Sequence, residues 1–83
     1  MSLADLQQSQ KKTVGSKQTL KAVKRGQVKV VYIALDAEKQ VTQVIIQACQ
    51  SQGIPVVEVE TMYSLGRICG IEVGCAVAAI LDL

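Results

Sequence analysis

The sequence predicts an α/β domain in which a small mixed sheet is sandwiched between helical layers. Three observations carry this reading. Apolar residues switch along the chain between helical spacing and short β-branched runs. The strand-like runs are separated by helix-like segments instead of following one another. At 83 residues and 49% hydrophobic content the chain has material for one core and no room for a second module, so residues 1–83 are read as a single domain.

Each element has its own signal. LADLQQSQ, residues 3–10, places Leu3 and Leu6 three apart with polar residues opposite, the pattern of a short amphipathic helix. From Ser16 to Arg25 the apolar Leu20, Ala22 and Val23 share one side, and Gly26 supplies a stop. VKVVYIAL, 28–35, is β-branched and nearly continuous, as a strand covered on both faces must be. Asp36 is the expected N-cap of a third helix, which carries Val41, Val44, Ile45, Ala48 and Cys49 on its apolar face until Gly53 ends it. IPVVEVE, 54–60, reads as a strand with one partly exposed side that bears Glu58 and Glu60. Thr61 caps a fourth helix, TMYSLGRICG, in which Met62, Leu65 and Cys69 share a face. GIEVG, 70–74, is a loop, and CAVAAIL, 75–81, a buried strand.

Composition and charge exclude several classes. Only Tyr32 and Tyr63 are aromatic, so the core is aliphatic and a stacking platform of the single-strand-binding kind is not expected. The net charge is +2, but the first 30 residues hold Lys11, Lys12, Lys17, Lys21, Lys24, Arg25 and Lys29 against Asp5. That asymmetry puts a positive field on one side and favours an anionic partner. The opening MSLADLQQSQKK has no apolar run of signal length, and IEVGCAVAAILDL falls short of the ~20 apolar residues that cross a bilayer, so a cytoplasmic protein without a membrane partner is expected. Three cysteines, an odd number, read as free thiols in a reducing compartment, with Cys49 and Cys75 in the core. With no histidine and no CxxC, neither a metal site nor a cofactor is expected. The same absence of a histidine base, with no cysteine–base pair in view, argues against an enzyme.

The stretch GSKQTLKAVKRG concentrates the basic charge. At 100° per residue Lys17, Lys21 and Lys24 fall within about 60° of one another, with Leu20 and Val23 roughly a quarter turn away toward the core. Gln18 and Arg25 share the neighbouring strip, and the helix start after Gly15 and Ser16 turns unpaired N–H groups outward, an arrangement that suits phosphate. A solvated helix face that keeps the protein soluble accounts for the same stripe. In GIEVG, Ile71 and Val73 flank Glu72 between two glycines. They either begin the last strand and pack inward, or form an apolar knuckle that covers an extruded base while the lysines hold the backbone.

The order Gly15-Ser16-Lys17-Gln18-Thr19-Leu20-Lys21-Ala22-Val23, followed by Leu65-Gly66-Arg67-Ile68-Cys69-Gly70-Ile71-Glu72-Val73, resembles the L-seven-Ae family of ribosomal and kink-turn RNA-binding proteins, and in particular its short bacterial YbxF-type branch. The resemblance implies a three-layer α-β-α sandwich with a four-stranded mixed sheet. It also implies that the start of the second helix and the loop before the last strand come together on a kink-turn, an RNA bend built on tandem sheared G·A pairs beside a bulge. The family's glycine-x-asparagine-glutamate motif falls on Gly15, Ser16, Lys17 and Gln18, and its following helix lysine on Lys21. Lys17 and Gln18 depart from the pattern, and Gln18 offers an amide oxygen where the family has a carboxylate.

On this resemblance Lys21, Lys24 and Arg25 neutralise crowded phosphates, Lys17 and Gln18 face the G·A edges, and Ile71, Glu72 and Val73 cap the bulge. The implied partner is structured RNA such as ribosomal RNA or a riboswitch, not DNA, and no feature requires more than a monomer. The alternative is a protein-interaction module on the ribosome or another ribonucleoprotein, since an exposed apolar loop serves a protein partner equally well.

Overall fold

A computed structural model describes residues 3–82, so Met1, Ser2 and Leu83, at the ends of the expected domain, lie outside the described residues. Eight elements follow in order: α1 (Leu3–Gln8), β1 (Lys12–Val14), α2 (Ser16–Lys24), β2 (Val28–Ala34), α3 (Lys39–Gln52), β3 (Val56–Val59), α4 (Met62–Cys69) and β4 (Val77–Leu81). The four strands form one sheet in the order β1-β4-β2-β3. β4 runs antiparallel to both neighbours, with Ala78 opposite Val14 on one side and Tyr32 on the other. β2 and β3 are parallel, Val31 opposite Val56, and α3 supplies the long crossover that a parallel pair requires.

Alternation along β2 sorts the core into two layers. Val30, Tyr32 and Ala34 pack with Leu6 of α1 and with Leu65 and Cys69 of α4. Val31 and Ile33 pack on the opposite face with Ala22 and Val23 of α2 and Ile45 and Cys49 of α3. Helices therefore cover both faces of the sheet, the three-layer α-β-α sandwich that the resemblance implied. β2 lies between β4 and β3, and every residue from Val30 to Ala34 is buried, which is why its sequence is apolar without alternation.

The element readings hold with three corrections. β1 is a strand that the residue pattern missed: Lys12-Thr13-Val14 is too short to show a period, and all three residues are half-buried. Asp36 does not cap α3, whose N-cap is Glu38 without a side-chain hydrogen bond. Its Oδ1 instead accepts from the Met62 amide at 2.7 Å, so a residue next to β2 satisfies the first turn of α4, where Thr61 Oγ1 accepts from the Ser64 amide at 3.0 Å. Val44 is half-exposed, and Thr42 takes a buried place on α3 in its stead.

Candidate nucleic-acid interface

The start of α2 is fixed by a residue that only glycine suits. Gly15 has φ +105°, ψ 153°, a conformation that side chains make costly. Its N–H donates to the Val77 carbonyl of β4 at 2.8 Å, and its carbonyl accepts from the Thr19 amide at 3.1 Å. Thr19 is fully buried, and its hydroxyl pairs with that of Thr13 on β1 at 2.8 Å. The first turn of α2 is thus tied to both strands at this edge of the sheet. Gly15 brings no capping side chain, so the early amides of the helix are directed outward beside the exposed Lys17 and Gln18, with exposed Lys21 one turn on. Ser16 is half-buried.

The loop at 70–74 is held just as firmly. The Ile71 amide donates to Gly66 O and the Cys75 amide to Met62 O, both at 3.0 Å, so the loop folds back along α4. Gly66 permits this contact, because a Cβ there would overlap the Val73 carbonyl oxygen. Glu72 and Val73 project into solvent, with Val73 70% exposed. Ile71 departs from the exposed knuckle and is partly buried against the core that Leu65 and Cys69 share.

These two pieces are neighbours through β4. Val77, which accepts the Gly15 bond, lies three residues beyond the end of the loop at Gly74, so the chain leaving the loop runs directly to the start of α2. Gly15, Ser16, Lys17, Gln18 and Lys21 occupy the near part of the helix. Lys24 and Arg25, also exposed, stand at its far end, about 10–12 Å beyond Lys17 along the axis at 1.5 Å per residue. The seven expected residues of α2 and its caps therefore run from the Gly15–Val77 bond to the far end of the helix, while Ile71, Glu72 and Val73 lie on the loop that leads to Val77.

Under this junction lie two thiols. Cys69 and Cys75 are buried and free, as is Cys49. A hydrogen bond to Cys75, with burial, pushes the Cys69 thiol up; the same bond draws the Cys75 thiol down, helped by the Gly15 amide. Cys75 Sγ also lies 3.0 Å from Val77 O. Cys49 and Cys75 occupy the core positions predicted for them, and burial pushes the Cys49 thiol up.

Two surface features escaped the residue reading. A groove of about 260 Å³ runs between α2 and α3, lined by Lys17, Leu20, Val41, Val44 and Ile45 among others. On α4, Tyr63 and Arg67 meet at i, i+4, a spacing that signals contact only once the helix and its exposed face are known. Among the described residues no helix is long and apolar enough to cross a membrane, and no group of three or more potential ligands is placed to hold a metal ion.

Comparison with known proteins agrees on the type of domain. The family model described as ribosomal protein L7Ae/L30e/S12e/Gadd45 matches residues 2–83. An RNA-binding protein of Caldanaerobacter subterraneus subsp. tengcongensis is 55% identical over 69 residues, covering 83% of this chain and 84% of its own. RNA-binding protein YbxF of Geobacillus stearothermophilus is 37% identical over 81 residues, 98% of this chain and 99% of its own. The 15.5kD RNA binding protein of Giardia lamblia superposes with a TM-score of 0.81 at 31% identity, over 98% of this chain and 68% of that one. Each of these relatives is described as binding RNA and none as an enzyme.

Proposed function

Because the chain belongs to the ribosomal protein L7Ae/L30e/S12e/Gadd45 family, we propose that it binds structured RNA and recognises the kink-turn through the start of α2 and the 70–74 loop. The observation that carries this is the Gly15 N–H bond to Val77 O, which brings a cationic helix start beside the strand that the loop feeds. The RNA-binding character of the relatives supports the partner class.

In this reading Lys17 and Gln18 meet the sheared G·A edges, and the outward amides with Lys21 meet phosphates that the bend crowds together. Lys24 and Arg25 reach phosphates further along the same stem. Val73 and Glu72 cap the bulge while Ile71 anchors the loop to the core. The protein touches only the kinked form of an RNA that samples open and kinked states, so binding shifts that population by its differential affinity. It acts as a monomer in the cytoplasm on structured RNA, not on DNA.

A filter-binding comparison tests the reading with three RNAs: a kink-turn hairpin, the same hairpin with its G·A pairs replaced, and a plain duplex. Tight binding to the first alone is expected; equal binding to all three would overturn it. The apolar groove between α2 and α3, with its half-exposed Val44, favours a second reading in which a protein partner docks on the domain. That reading predicts no preference among the three RNAs.

A further inference from the structure

We propose that Tyr63 and Arg67 form a separate subsite for one unpaired nucleotide, guanine by preference, on the flank of the 70–74 loop. The inference rests on the RNA-binding reading above and adds residues to it.

Tyr63 is 63% exposed, the larger part of an aromatic ring left open to solvent on a chain whose other aromatic residue is fully buried. The Arg67 guanidinium lies over the ring, 5.8 Å from its centre, and Nη1 donates to the Tyr63 hydroxyl at 3.1 Å. That contact couples the two side chains, while the stacking surface itself is supplied by the ring and not by the hydroxyl. Ile71 and Glu72 of the loop join them in lining an open recess of about 360 Å³.

The chemistry of the four lining residues specifies the guest. A flat, open ring offers a stacking surface to any base, and a cation beside it strengthens the stack. Arg67 spends one N–H on the Tyr63 hydroxyl, and a guanidinium has five, enough to hold a phosphate as well. The Glu72 carboxylate repels phosphate and only accepts hydrogen bonds, so it meets a base edge that donates. Guanine presents two adjacent donors on one edge, matched to the two carboxylate oxygens. Ile71 and Glu72 belong both to this recess and to the loop assigned to the bulge, so a nucleotide leaving the bulge enters it without a break in the interface.

The test uses a kink-turn hairpin with an abasic residue at each bulge position in turn, and wild type, Tyr63→Ala, Tyr63→Phe and Glu72→Gln protein. For wild type, one abasic position weakens binding about tenfold, within the range for base–aromatic stacking. Tyr63→Ala shows that same loss on the intact hairpin and no further loss at that position, whereas Tyr63→Phe binds as wild type. Glu72→Gln erases the preference for guanine over adenine there. Unchanged affinity in Tyr63→Ala, or abasic losses that simply add to the mutational one, overturns the subsite while leaving kink-turn recognition standing. Wild-type protein that does not distinguish the intact hairpin from a plain duplex overturns both.

Discussion

Gln18 and Lys21 show how far single residues could be read in advance. Their exposure follows from helical spacing alone, because turning Val23 into the core turns the lysine face out. The fixing of that helix start was not legible. It depends on the buried Thr19 and its partner Thr13, a hydroxyl pair that joins α2 to a strand too short for any pattern to announce. Gln18 brings an amide that both donates and accepts, and Lys21 a point charge. Gln18→Ala is therefore expected to weaken binding to a kink-turn hairpin by about 1–3 kcal/mol and Lys21→Ala by somewhat less, measured by calorimetry. Wild-type affinity in both variants counts against the placement of the interface.

At the scale of elements, period and punctuation located α2, β2, α3, α4 and β4 within a few residues, since each has either a long apolar run or a glycine or threonine at its boundary. Asp36 was misassigned because local sequence favours the nearest helix, whereas the folded chain brings the start of α4 within hydrogen-bond reach. Asp36→Ala is expected to lower stability by about 1 kcal/mol in a urea titration, the usual net worth of such a bond. An unchanged midpoint would show that water replaces it at no cost.

The contact between α4 and the loop offers a sharper test. Gly66→Ala drives a Cβ into the Val73 carbonyl, so the loop or the helix must move. A loss of about 1–3 kcal/mol in stability is expected from overpacking, with a fall in RNA affinity, read from the melting transition and from binding at a temperature where the variant is folded. Full affinity in a folded Gly66→Ala protein would separate loop position from RNA binding.

For the whole molecule, the α/β class and the two helical layers were legible from alternating periods, and the resemblance implied the fourth strand. The order β1-β4-β2-β3 was not, because strand order depends on pairings between distant segments that no local pattern records. That order matters for function. With β4 between β1 and β2, its first residue, Val77, is within reach of Gly15, and a positive helix start comes to lie beside the strand that the loop feeds. If three to five phosphates are neutralised there, the affinity falls with salt on a log–log slope of about −3 to −4.5, and a flat salt dependence would contradict an electrostatic interface.

In the proposed function these two distant stretches bind RNA as one surface. Titrating isotope-labelled protein with a kink-turn hairpin and following backbone amide resonances tests it directly. Gly15 to Lys21 and Gly70 to Gly74 are expected to shift together and saturate at the same RNA concentration. Shifts confined to one stretch, or centred instead on the α2–α3 groove around Val44, would contradict the account.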